Sequence, residues 1–438
     1  MPLPRFIQIH TLHTYPAALL NRDDAGLAKR LPLGGTVRTR ISSQCLKRHW
    51  RFPIHASVQA SFDDMVDLQK QFPYSIQNLD QPGSFRSREF VQRIQELLLT
   101  NGVTPELADI FSATLRDAFK KGLDKLIKEA RKPAKKKKGK TDASEVESED
   151  AEDSDDGKMQ AILLGVPEYQ HLTNICKEVA SSISDVTTAR LTLLERLKTE
   201  KANFEQMPLN CGMESALFGR MVTSDILASR DAAIYVAHAF TVHKQEVEND
   251  YFTVVDDLLR DSGETGSAGI FDTELASGLY YGYVVVDVPQ LVENLEGIAA
   301  KDCFANGTPA ERRELAGRVV QHLLHLIATV SPGAKRGSTA PFDWAKFMLV
   351  EAGDWQPRSL AGAFHDALLL EDKTNAGTIR QRAVTHMTQE ISAMDEAYGA
   401  PLARRFLALD AIDVPGAERA NLTKLGEWAS AIVRQGAC

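Results

Sequence analysis

The chain has 438 residues, a formal net charge of -8, 43% hydrophobic residues and 25% charged ones, which suits two domains or one domain with large insertions around a substantial core. No run of eighteen apolar residues occurs, and the opening MPLPRFIQIH lacks the basic and apolar regions of a secretory signal, so a soluble cytoplasmic protein with no membrane partner is expected. The five cysteines, Cys45, Cys176, Cys211, Cys303 and Cys438, are scattered with no CxxC pair, which argues against a disulfide framework or a structural zinc site.

The first predicted element is a strand in RFIQIHTL. LNRDDAG follows, where Arg22 sits beside Asp23 and Asp24. Adjacent carboxylates can bind a metal or supply a base for phosphodiester cleavage, but a turn with an internal ion pair is the commoner use of such a stretch. Residues 1–51 carry nine Lys or Arg against two acids, which leaves -15 for the rest of the chain. A local basic segment of this kind fits a polyanion partner as well as a solvated surface.

GTVRTRISSQCLKRHWR concentrates that charge. Alternation of Val37, Thr39 and Ile41 with Arg38 and Arg40 predicts a strand with one buried and one basic face. Ser42 or Ser43 then caps a helix on which Gln44, Lys47, Arg48 and Arg51 occupy neighbouring turns, while Leu46 and Trp50 face the core. A strand-to-helix junction aims free backbone N–H groups and cationic side chains at one place, an arrangement that holds phosphate without reading bases.

Residues from about 60 to 210 read as a helix-rich insertion. One helix is predicted around Phe90 to Leu99, and another starts at Thr104-Pro105-Glu106, with Leu107, Ile110, Phe111, Leu115, Phe119, Leu123 and Leu126 at helical spacing. Residues 131–158, RKPAKKKKGKTDASEVESEDAEDSDDGK, have almost nothing to bury and are predicted to be a flexible loop rather than a binding arm, because the acids neutralise the lysines.

ALFGRMVTSD places Gly219, Arg220 and Met221 together at a turn. DYFTVVDDLLRDSGETGSAGIFDTE has β-like ends around a Gly- and Ser-rich tip at 262–269, the pattern of a long hairpin. Phe252 at its base is either core or a wedge between nucleobases. LYYGYVVVDV and KFMLVEA are strands, and ERRELAGRVVQHLLHLIATV is a helix between them, which predicts an α+β fold: a split β-α-β or ferredoxin-like sheet with helices on one face. SPGAKRGST, with Lys335 and Arg336, lacks P-loop spacing, which disfavours nucleotide hydrolysis. The pairs His10/His13 and His322/His325 lack a third metal ligand nearby.

LNRDD, RISSQCLKR, GRMVTS, AHAFTVHK, YFTVVDDL, SGLYYGY, LVENL and PGAKR, in that order, resemble the CasC or Cse-type backbone subunit of the type I-E CRISPR Cascade complex, a member of the RAMP superfamily. The resemblance covers residues 6–51 and about 211–350. It implies a modified RRM-like palm (1–58, 206–245 and 275–438), helical fingers (59–205) and a β-hairpin thumb (246–274). It further implies head-to-tail copies along a CRISPR RNA, which is displayed for pairing with target DNA, together with other Cascade subunits. Neither a catalytic role nor a cofactor is expected. On this resemblance Arg22, Ser42, Gln44, Lys47, Arg48 and Arg220 hold the RNA backbone, Met221 and Phe252 flank a kinked nucleotide, and Lys335 is a further candidate. With Arg38, Arg40 and Arg51 of the basic stretch, these form the expected RNA-binding set. The alternative is a RAMP endoribonuclease that processes CRISPR transcripts or cuts target RNA, motivated by Asp23, Asp24 and the histidines.

Overall fold

The computed structural model describes residues 3–54, 62–131, 161–183, 185–206, 209, 211–222, 226–255, 267–371, 377–399 and 402–438. The expected flexible segment after Arg131 and most of the hairpin tip lie outside the described residues. The chain forms two compact units, a larger one of Met1–Asp80 with Ala233–Cys438 and a smaller one of Gln81–Ala232.

The strands in chain order are β1 (Phe6–Ala18), β2 (Arg30–Leu33), β3 (Thr36–Ile41), β4 (Ser84–Ser87), β5 (Ile162–Gly165), β6 (Ile234–Val236), β7 (Ala239–Thr241), β8 (Glu246–Val255), β9 (Ser267–Asp287), β10 (Phe347–Gly353), β11 (Ala403–Ala408) and β12 (Ala417–Arg419). Ten of them build one sheet in the larger unit, ordered β12-β11-β10-β1-β9-β7-β3-β2, with β6 and β8 also paired to β9. At its centre β10, β1, β9 and then β6 and β7 are antiparallel neighbours. The helix α1 (Ser43–Arg51) follows β1 and its β2–β3 hairpin, and the helix Glu314–Thr329 lies between β9 and β10, so the chain runs in a split β-α-β order. β8 and the first half of β9 form the expected antiparallel hairpin, Phe252 opposite Phe271.

Helices cover both faces of the sheet, not one. Tyr15 and Tyr280 share an apolar cluster with Ile41 and Leu46, on the face toward α1. Leu12, Tyr281, Phe347 and Leu349, on the opposite face by strand alternation, pack with Ala383, Val384, Met387 and Ile391 of the helix Ile379–Tyr398. Among the described residues no helix is long and apolar enough to cross a membrane.

The smaller unit is helical, as the spacing of its apolar residues predicts. Phe90–Thr100 and Pro105–Lys120 both form, and Leu107, Phe111, Leu115 and Phe119 are buried in its core with Leu193, Leu194 and Leu197 of the helix Ala189–Gln206. The periodic run to Leu126 is two helices: Lys121 is extended, and Gly122 caps a new helix, Leu123–Ala130. The unit's boundaries also differ from 59 and 205. Residues up to Asp80 belong to the larger unit, where Tyr74 stacks on His325 and the Ser75 carbonyl meets the His322 ring. Residues 209–232 belong to the smaller unit because Glu214 accepts from the backbone N–H and hydroxyl of Ser84, and Arg220 pairs with Glu168.

Gln8 and His10 on β1, which imitate a solvent face, are buried and satisfied. Gln8 accepts from the Tyr283 hydroxyl and the Arg358 N–H. His10 contacts Glu351 at 3.2 Å and Tyr281 at 2.9 Å, and Glu351 accepts from Arg358 and from Arg404. Burial lowers the His10 pKa, so the neutral ring donates from Nε2 to Glu351 and accepts the Tyr281 proton at Nδ1. Glu351 is held below the usual carboxylate range because its donors outweigh burial. Its stabilising effect is therefore present above the unfolded carboxylate range and is lost as pH falls. Glu351→Ala removes the carboxylate shared by His10, Arg358 and Arg404, although Arg404 keeps its pair with Asp395, and urea unfolding at neutral pH should show a loss of about 3 kcal/mol.

Candidate nucleic-acid interface

The basic stretch folds as a strand, a cap and a helix, but its faces are set by neighbours and not by simple alternation. β3 lies between β2 and β7. Val37 is exposed, while Arg38 is 0% exposed and donates to the carbonyls of Thr241, Phe364 and His365 and to the Thr36 hydroxyl. The same His365 carbonyl lies where a Cβ on Gly34 would fall, so only glycine allows the β2–β3 turn to approach it. Arg38 thus joins turn, strand and the 364–365 backbone in the core, a correction to its place on a basic face. Arg40 stays half-buried, bonded to the Arg30 carbonyl and to His238.

Of the two possible caps, Ser42 is the one used: its Oγ accepts from the Cys45 N–H at 3.2 Å. Its own N–H donates to the Asn21 side chain at 2.9 Å, which ties the helix start to the Arg22 turn. Trp50 is buried and Leu46 packs beside Ile41, so Gln44 and Arg48 face outward, with Lys47 and Arg51 half-buried. Burial lowers the pKa of Lys47, and burial followed by neighbouring Arg51 lowers that of Arg48. Arg48 also lies over the Phe52 ring at 4.3 Å. An approaching anion offsets the cost of such partly desolvated cations.

Arg22, Asp23, Asp24 and Gly26 line an open cleft of about 550 Å³ with Cys45 and His49 of α1 and Gly333 and Ala334 of the Gly-rich loop. Asp23 Oδ1 accepts from the Ala25 and Leu27 N–H groups, so this carboxylate holds the turn. His49 Nδ1 donates to the Cys45 carbonyl at 2.8 Å, which leaves Nε2 to accept from the Gly333 N–H at 3.3 Å. The neighbouring Cys45 thiol is pushed up to about 11 by burial, against the opposing influence of Lys29 and Arg336. It therefore stays protonated at neutral pH beside a neutral imidazole, unlike the thiolate of a nucleophilic pair. Nothing in the spacing of the sequence announces His49 or Gly333 as partners.

Lys335 takes a left-handed backbone conformation, bonds the Thr273 hydroxyl and lies 5.6 Å from the centre of the Phe252 ring, so the loop meets the hairpin base. Glu274 on β9 pairs with Arg30 and accepts from the Ala28 N–H, which attaches the same hairpin base to the Arg22 turn. Phe252 is partly exposed, not sealed in the core.

Arg220 and Met221 lie in the smaller unit. Arg220 is 5% exposed, makes a bidentate pair with Glu168 at 2.6 and 2.8 Å and bonds the carbonyls of Leu163 and Ala228. Its expected role as an exposed phosphate ligand does not match this burial. Gly219 before it has φ +76 and backs against Ala232, and Met221 after it is 94% exposed. His10 and His13 lie on opposite faces of β1, and among the described residues no group of three potential ligands is placed to hold a metal.

A family profile for CT1975-like proteins matches residues 7–431. The chain belongs to the CT1975-like protein family. Its fold resembles that of a chain from a "CRISPR RNA-guided surveillance complex, pre-nicking", with a TM-score of 0.66, 23% identity, and coverage of 98% of this chain and 100% of that one. A chain of another CRISPR RNA-guided surveillance complex gives a TM-score of 0.57 at 20% identity, with 97% and 99% covered. Comparison with curated proteins finds no match.

Burial lowers the His49 pKa despite the raising effect of its bonds to Cys45 and Gly333. A depressed histidine leaves the unfolded chain binding more protons below about 6.5, so its contribution is full above that pH and falls as the solution is acidified. Urea unfolding at pH 7.5 and 5.5 should show a steeper acid-side loss for the wild type than for His49→Gln. Ser42→Ala should cost about 1 kcal/mol by the same measurement at neutral pH.

Proposed function

We propose that this CT1975-like chain is a non-catalytic, CRISPR RNA-binding backbone subunit of a type I-E-like Cascade antiviral complex. Copies stack head to tail along the guide and display it for pairing with target DNA, beside other Cascade subunits. The observation that carries this reading is the cleft where the Arg22 turn, the capped start of α1 and the Gly-rich loop converge, with Lys47 and Arg48 partly desolvated on the adjoining helix. Family membership and the likeness to chains of RNA-guided complexes support it.

In this reading the larger unit is an RRM-like palm that carries the β8–β9 thumb, and the smaller unit is the fingers. Arg22, Arg40, Ser42, Gln44, Lys47, Arg48, Arg51 and Lys335 serve the guide backbone, whereas Arg38 and Arg220 support the scaffold from inside. Met221 and Phe252 supply apolar contacts to a displaced nucleotide. A subunit that repeats along a guide must accept any sequence, which phosphate contacts and stacking allow. Base pairing then supplies the specificity. Head-to-tail contacts are heterologous and extend without closing.

The endoribonuclease reading is weakened because Asp23 is engaged by its own turn and the buried His10 serves Glu351. The purified chain should therefore leave repeat RNA and guide-paired RNA intact, with or without divalent metal. Cleavage abolished by Asp23→Ala would overturn the non-catalytic assignment. Lys47→Ala with Arg48→Ala should weaken guide RNA binding and flatten the plot of log affinity against log salt by roughly 0.7 for each phosphate no longer neutralised. An unchanged slope would remove these residues from the interface.

A further inference from the structure

The loop that follows the helix Glu314–Thr329 leaves two large aromatic side chains in solvent. Phe342 and Trp344 are each 71% exposed. Between them Asp343 is anchored: its carboxylate accepts from the Thr14 N–H at 2.8 Å and pairs with Lys346. Its backbone N–H donates to the Ser331 hydroxyl at 2.8 Å, and that hydroxyl donates back to the Asp343 carbonyl at 2.9 Å. Ser331 begins the Gly-rich segment, so these paired bonds close the loop from 331 to 343 at its base. The aromatic pair is thus held outward by the backbone on either side of a fixed residue.

The same loop reaches the lining of the cleft through Pro341, the chain neighbour of Phe342. Pro341 lies against Gly333, where a Cβ would come within 2.4 Å of its ring. Gly333 in turn donates to His49 and lines the cleft with Ala334. Arg336, on the arm between them, is half-buried and donates to the Ser331 carbonyl. Cations and exposed aromatic rings carried on one loop have the chemistry that single-stranded nucleic acid requires, phosphate for the first and base faces for the second.

We propose that Phe342 and Trp344 form a base-stacking step at the edge of the cleft, where unpaired nucleobases of a bound RNA strand rest while their phosphates engage the basic turn and helix. The assignment rests on the RNA-binding reading above and adds to it an interaction with base faces, indifferent to sequence. Stacking is electrically neutral, so its loss changes affinity without changing the number of counterions released.

The experiment uses the full chain with two labelled probes of equal length, a uridine homopolymer and an abasic chain with the same phosphates. Trp344→Ala should weaken uridine binding by roughly tenfold, leave abasic binding unchanged and preserve the salt slope. Trp344→Phe should retain most of the affinity, and Phe342→Ala should behave like Trp344→Ala. Equal binding of uridine RNA by the wild type and both alanine variants would overturn the stacking step while leaving the RNA-binding reading intact. Loss of self-association with no loss of RNA affinity would also overturn it, in favour of an interface between copies. Failure of the wild type to bind either probe would overturn both readings.

Discussion

The larger unit depends on the backbone ladder of one strand. β9 is 21 residues long and uses both edges: along one it pairs with β1, and along the other it takes up β8, β7 and β6 in succession. The portion that carries Leu279 to Val286 is therefore central and buried, and the portion before it leaves the sheet with β8 as a hairpin. One continuous strand thus joins the sheet core to a projecting element. Glu274, near the transition, is also the residue that binds the Arg22 turn through Arg30 and Ala28. The candidate site is thereby tied to that transition.

Around the site, connections are short and pass through backbone atoms. Asn21 receives the Ser42 N–H, His49 receives the Gly333 N–H, and the Ala334 N–H reaches the Leu19 carbonyl at 2.8 Å. Turn, helix and loop, far apart in sequence, are thereby fixed to one another. Lys47 and Arg48 contribute charge from partly desolvated positions, and the Cys45–His49 neighbours stay neutral. Such an arrangement binds an anion better than it activates a nucleophile.

Much of this was legible in the sequence because the local signals were strong. The apolar period of Pro105–Lys120, the cap before α1, the two strands of the hairpin and the strand candidates flanking Glu314–Thr329 all correspond to described elements. What escaped depended on partners distant in the chain. Arg38 is turned inward by carbonyls more than two hundred residues away, and Arg220 by Glu168 across 52 residues. Gln8 and His10 imitate an exposed face only until Tyr283, Arg358 and Glu351 are brought to them. Composition suggested the helical insertion, but only specific contacts at Tyr74 and Glu214 show where it starts and stops. Phe342 and Trp344 carry no periodicity that separates an exposed aromatic from a buried one.

The sheet's ends bear on how copies of the chain can meet. β2 is four residues long and contains Pro32, which has no N–H to offer a neighbouring ladder, and β12 has only three residues, two of them Glu418 and Arg419. Along the hairpin, β8 sets Glu246, Glu248 and Asp250 at every second position in solvent. Short, proline-bearing or charged borders resist pairing with another sheet. Edge-to-edge pairing between copies of the chain is thereby disfavoured, and amyloid-like fusion with it.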